Sequence, residues 1–193
     1  MQPRRPRSLL LDTPAVALLL AAVVYLRGFS NQFVYDDKDL ILKNAYIGKA
    51  EMLWRSWVRD LWWFLNPQFQ PNSSNYHPLQ ATWLWLNYQL FGVSPPGWHL
   101  SILAVHLVAV WLVFAIAREL SANRLTPFGA AALFAVLPIH AEAVVWPAAI
   151  PETMSAAFEL GAFLCFISSA AGQRRRLWAG LWFAAALLTH ESA

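Results

Sequence analysis

Carboxylates and imidazoles stand in short groups along this chain, separated by long apolar runs. FVYDDKDLILKN carries Asp36, Asp37 and Asp39. Tyr76-His77-Pro78 follows. PIHAEAVVW supplies His140 and Glu142, Glu152 comes soon after, and His190-Glu191 stands near the last residue. Paired carboxylates suit general base catalysis, because one can stay ionised and take a proton while the other orients it or binds a hydroxyl or a metal. The same pair also reads as a solvated acidic turn capping a following helix. His140 and Glu142 can share a metal or a proton. Two positions apart on a helix do not face the same way, so that pair works best if the chain is extended after Pro138. A polar membrane–water boundary would place the same two residues. His-x-Glu also occurs in zinc deaminases, but there is no C-x-x-C here and Cys165 is the only cysteine. No disulfide within the chain can form. No metal site and no cofactor are expected, and no Walker loop, dinucleotide fingerprint or Ser-His-Asp set is present.

The elements that must position these residues are membrane helices. Of 193 residues, 58% are hydrophobic and 13% charged, against about 25% charged in a soluble domain. That deficit, with a mean hydropathy of +0.41, makes lipid the solvent. A spanning helix needs about 20 mostly apolar residues. About five segments qualify, near Leu9–Leu26, Trp98–Ala117, Pro127–Val145 with a break at Pro138, Thr153–Ala170, and from Leu177 to about Leu188. The first also has the outline of a signal peptide, but its length and the lack of a small-x-small site favour an uncleaved span. Arg4, Arg5 and Arg7, then Arg118 and Arg124, then Arg174, Arg175 and Arg176 fall in alternate connections. Alternating crossings put all of them on one face, the cytoplasm. Asp36, His77, His140, Glu142, His190 and Glu191 then lie on the other. The net charge of +3 comes from these topology signals, and no nucleic-acid partner is expected.

The long first outer loop is expected to hold amphipathic interfacial helices. Trp54, Trp57, Val58, Leu61, Trp62 and Leu65 recur at helical spacing, which predicts a helix over about 49–65. Leu79–Phe91 is a second aromatic amphipathic stretch. Asn66–Ser74 reads as a turn or flexible loop and holds a glycosylation sequon at Asn72, meaningful only in a eukaryote. His99 and His106 share a face of the second span, where interhelical hydrogen bonding is the favoured reading. Glu159 lies within the fourth.

FVYDD after a first span, then YHPL, LNYQLFG, PPGWHLSILAVHL, LPIHAEAVVW and ALLTHESA occur in order. This arrangement resembles the N-terminal half of the C-type integral-membrane glycosyltransferases, and is most similar to the protein O-mannosyltransferase-like enzymes with a tetratricopeptide tail. The likeness covers about residues 10–193. It implies a cavity open to the outer leaflet, a polyprenyl-phosphate sugar donor, a protein or glycan acceptor, and a loop carboxylate, Asp36 or Asp37, as the base that activates the acceptor hydroxyl. His77, His140, Glu142, His190 and Glu191 would bind donor or acceptor. Such enzymes often show YRPL where this chain has Tyr76-His77-Pro78-Leu79. An arginine holds phosphate at any pH, whereas a histidine does so well only when protonated.

The expectation is therefore an all-α, polytopic membrane protein, with residues 1–193 a single membrane domain that forms the N-terminal part of a larger, inverting, metal-independent glycosyltransferase domain. The cell inner membrane, with the N-terminus cytoplasmic, is the expected location. The rival is a non-catalytic assembly module or a transporter fragment. A transporter would concentrate polar residues near mid-membrane, whereas here they concentrate at one face.

Overall fold

The computed structural model describes residues 12–65, 75–168 and 172–190, and every regular element among them is helical. The order is α1 (Ala15–Tyr25), α2 (Ala50–Ser56), α3 (Pro78–Phe91), α4 (Pro95–Leu120), α5 (Leu125–Val136), α6 (Ala141–Val145), α7 (Ile150–Ile167) and α8 (Gln173–Leu187). Short 3-10 and π turns link them.

Proline sets most of the boundaries. Pro78 and Pro95 open α3 and α4 at the first helical turn, where a missing N–H costs nothing and φ is already helical. Leu137 is extended before Pro138, as the ring of a following proline requires. The axis therefore turns by 48° between Leu125–Val136 and Pro138–Val145. Gly92 closes α3 at φ 56°, a left-handed backbone that a side chain would resist.

Among the described residues, two helices are long and apolar enough to cross a membrane, Pro95–Leu120 and Pro147–Ile167. The bent pair makes a third if it is one span. The described residues thus show two or three of the about five spans expected. The first apolar helix runs only Ala15–Ser30, and residues 9–11 of the expected span lie outside the described residues. α8 has 15 residues and begins Gln-Arg-Arg-Arg, so it is too short and too charged at its start to span by itself.

A correction concerns the outer loop. The helix expected over 49–65 stops at Ser56. The Asp60 carboxylate accepts the Trp62 N–H at 2.8 Å, a local turn that competes with helix. The Leu61 N–H donates to the Asn75 carbonyl at 2.8 Å, so two backbone groups leave the helical ladder. Trp54, Trp57, Val58 and Leu65 end exposed, and Leu61 is buried. Trp63, absent from the expected stripe, is the fully buried anchor. The second stretch forms α3 as expected.

Two cores result. Under the outer loop, Leu40, Ile41, Met52, Trp63, Leu84, Trp98, Ile102 and Ile150 pack together. Each large side chain so buried contributes about 1.5–3 kcal/mol. Within the bundle, Ala17 and Ala21 of α1 meet Ala131 and Ala135 of α5 against Val110 and Phe114 of α4. Small residues let helix backbones approach closely, which is how helices associate where lipid removes the hydrophobic drive. Leu19, Val23 and Leu133 point outward, as lipid-facing side chains do.

Candidate functional site

The acidic pair is split by one backbone turn. Tyr35 has φ 45°, an uncommon value for a residue with a side chain. Asp36 follows exposed, whereas Asp37 is fully buried. The Asp37 carboxylate accepts the Val34 N–H at 3.0 Å and the Ala148 N–H at 2.8 Å. Burial pushes its pKa up to about 6, opposed by these two hydrogen bonds, and the neighbouring Asp36 charge raises it further. The Trp146 indole also lies near enough to favour the carboxylate slightly, though its N–H does not reach hydrogen-bond geometry. Asp39 serves elsewhere, in a 2.8 Å ion pair with Lys43 one helical turn on.

Ala148 joins this loop to a second group. Its carbonyl accepts the Gln80 side-chain N–H at 3.1 Å. The Gln80 carbonyl oxygen lies 3.1 Å from His77 Nδ1. Because the Gln80 amide nitrogen is already used as a donor, its oxygen must be the acceptor here, so His77 Nδ1 carries a proton. The His77 ring stacks on His190 at 5.3 Å, and the Leu79 N–H donates to the Leu188 carbonyl at 3.2 Å. Glu152 lies within electrostatic reach of His77, His190 and Glu142. The loop after α1, the start of α3, the turn before α7 and the end of α8 thus meet at one end of the bundle. Glu191 lies outside the described residues, as do Asn72, Ser73 and Ser74.

His140 and Glu142 part company. His140 packs its ring on Phe134 at 4.5 Å and near His106 at 5.9 Å. Glu142 is exposed and lines a cavity of about 410 Å³ with Asn31, Gln32, Val34 and Trp146. No hydrogen bond joins the two side chains among the described residues. Among the described residues no group of three or more His, Cys, Asp or Glu side chains is placed to hold a metal.

The span histidines bind the interior together. His99 lies 3.2 Å from the Asn31 carbonyl through Nε2. His106 sits edge-on to Tyr25 at 5.2 Å and stacked on Phe134 at 5.7 Å. Within α7, Glu159 accepts the Ser155 hydroxyl at 2.8 Å.

Arg118, Arg124, Arg174, Arg175 and Arg176 stand at the opposite end, while Arg27, Lys38, Lys43, Lys49, Arg55 and Arg59 belong to the loop on the site's side. Arg124 pairs with Asp12 at 3.5 Å, and Arg175 donates to the Ser168 carbonyl at 3.0 Å. Arg4, Arg5 and Arg7 lie outside the described residues. Sequence reasoning missed Gln80 and Ala148. A buried glutamine inside the aromatic stretch of α3 was a usable signal. A backbone amide that holds a carboxylate leaves none.

An all-helical membrane protein with a carboxylate–imidazole cluster at one end of its bundle is the class defined here. Its relatives make that class specific. Protein O-mannosyl-transferase Tmtc1 of Drosophila melanogaster is 34% identical over 184 residues, covering 90% of this chain and 20% of that protein. Protein O-mannosyl-transferase Tmtc2 of the same species is 39% identical over 127 residues, covering 65% of this chain and 13% of that protein. Protein O-mannosyl-transferase TMTC3 of Mus musculus is 31% identical over 160 residues, covering 82% and 17%. The chain is thus related to the protein O-mannosyl-transferases, as its ordered motifs implied, and spans a fifth or less of the length of these relatives. No family model matches it, and no solved structure matches it significantly.

Proposed function

We propose that this chain forms the acceptor-activating part of a membrane glycosyltransferase that moves a sugar from a polyprenyl-phosphate donor to a hydroxyl on a protein or glycan. The observation that carries the reading is the division of labour in the acidic pair. Asp37 is buried and held by two backbone N–H groups, while Asp36 beside it is exposed at the end of the bundle where His77, Glu142 and His190 also lie. Relatedness to proteins named protein O-mannosyl-transferases supports the reaction class.

Asp36 is the base. It accepts the acceptor's hydroxyl proton as the oxygen bonds to the anomeric carbon. The bond from that carbon to the phosphate oxygen breaks, and its electron pair leaves with the lipid phosphate. Attack from the face opposite the leaving group inverts the anomeric centre. His77 and His190, with Glu191 beyond, bind donor or acceptor, the imidazoles holding phosphate oxygens when protonated. Glu142 accepts sugar or acceptor hydroxyls, and His140 fixes the start of its segment by packing on Phe134. A lipid-linked donor needs a site at the membrane surface, and the cluster lies at an end of the spanning helices. Arginines at the other end support a cytoplasmic N-terminus, with the site on the outer face of the cell inner membrane.

The test is Asp36→Asn in a full-length enzyme carrying this segment, assayed for transfer from a polyprenyl-phosphate sugar. Asparagine keeps size and hydrogen bonding but cannot take the proton. Turnover should fall by about 10²–10⁴-fold, with expression and donor binding near normal. Retention of most activity would make Asp36 a solvated turn residue and remove it as the base.

A further inference from the structure

At the arginine end of the bundle a groove of about 540 Å³ opens between the last turns of α4 and α7 and the first turns of α8. Its walls are apolar. Phe114 is buried at its base, and Trp111 and Trp178 stand half-exposed on α4 and α8. Cys165 of α7 also lines it. Arg118 from the end of α4 and Arg175 from the start of α8 reach it from separate helices, with Glu119 as the acidic group facing the same space. Arg118 has no ion-pair partner among the described residues, whereas Arg124 is paired with Asp12.

We infer that this groove is a binding site for an anionic phospholipid of the leaflet on the arginine side. The groove combines two features that a soluble anion would not need together. Apolar walls run along the spanning helices α4 and α7, where an acyl chain lies. Arg118 stands at the end of α4, and Arg175, in the first turn of α8, stands beside the end of α7, both at headgroup depth. Tryptophan rings favour the same depth. Guanidinium matches phosphate geometry with paired N–H donors, and basic pockets between membrane helices hold lipid headgroups in this way. Two arginines against one glutamate leave the lining positive. Arg174 and Arg176 add to the local potential without lining the groove. A zwitterionic lipid brings its own cation to this positive rim and is disfavoured. The site is separate from the Asp36 cluster and stands whether or not the chain takes part in sugar transfer.

Cys165 makes the test direct, because it is the chain's only thiol. The intact chain is reconstituted in nanodiscs of phosphatidylcholine, or of phosphatidylcholine mixed with phosphatidylglycerol, and the rate of Cys165 labelling by a membrane-permeant maleimide is followed. Phosphatidylglycerol should slow labelling several-fold in the parent chain. The Arg118→Gln/Arg175→Gln variant should lose that protection, while Arg174→Gln/Arg176→Gln, which removes equal charge outside the groove, should keep it. Native mass spectrometry should show retained phosphatidylglycerol in the parent and in the second variant only. Equal labelling in both bilayers overturns the site. So does slowing that survives in Arg118→Gln/Arg175→Gln, which is a surface-potential effect. Labelling blocked in pure phosphatidylcholine also overturns it, since the groove is then filled by something other than an anionic lipid.

Discussion

The Asp37 carboxylate accepts the Ala148 backbone N–H at 2.8 Å across 111 positions of sequence. That contact fastens the loop after α1 to the turn that starts α7. It also fixes the side of the acidic pair that faces solvent, because Tyr35 at φ 45° turns Asp36 the other way.

Removing the carboxylate should loosen this junction. Asp37→Ala leaves the Val34 and Ala148 N–H groups without their acceptor, at about 1–3 kcal/mol for each group that stays buried. Amide exchange measured by mass spectrometry should quicken at both residues. Unchanged protection at Ala148 would mean that the contact holds nothing.

The same carboxylate sets a pH dependence. Its pKa is raised from 3.8 to about 6 by burial, so between those values the folded chain binds more protons than the unfolded one. Stability then falls as pH rises through that window. The contribution is fully present below the usual carboxylate pKa and is lost as pH passes about 6. In thermal unfolding in detergent, Asp37→Ala should therefore lower the midpoint more near pH 4 than near pH 7, the difference between parent and variant isolating this group. The opposite pH trend would show that the carboxylate is better stabilised folded than unfolded.

Gln80 should matter more than its position in an aromatic helix suggests. It is buried and joins His77 to the Ala148 carbonyl. Gln80→Leu keeps the bulk and removes both contacts, so a loss of about 1–3 kcal/mol is expected. The His77 ring should also lose its fixed tautomer, visible as a changed imidazole nitrogen shift. A variant with parent stability and an unmoved His77 signal would remove Gln80 from the network.

The tryptophans of the outer loop should divide by burial. Trp63 is fully enclosed, donates its indole N–H to Ser56 at 3.2 Å, and lies under the Arg55 guanidinium at 5.0 Å. Trp63→Ala should cost about 3–5 kcal/mol and open the loop to proteolysis. Trp54→Ala, at an exposed position, should leave proteolysis unchanged in a bilayer. Equal sensitivity of the two would contradict the packing.

Orientation is testable by labelling. In a Cys165→Ala background, Ser73→Cys should react with a membrane-impermeant maleimide in intact cells, and Ala122→Cys only after lysis. The reverse pattern would turn the protein over and move the candidate site to the cytoplasmic side.

What the sequence by itself determined was the membrane class, the helical class, and the relationship to the protein O-mannosyl-transferases. Each depends on composition or on order along the chain, which apolar runs and motifs carry directly. α4 and the break at Pro138 were legible for the same reason, since twenty apolar residues or one proline act locally. The tertiary structure decided the rest. It halted the helix after Ser56, because Asp60 and Asn75 captured N–H groups that the helix would have used. It chose Trp63 as the buried anchor. It turned the His140 imidazole onto Phe134, while Glu142 lines the neighbouring cavity. It buried Asp37 and exposed Asp36, two identical side chains in adjacent positions. No local pattern distinguishes them, because the difference comes from an amide 111 residues away, and hydrogen-bond partners that distant are fixed only when the chain folds.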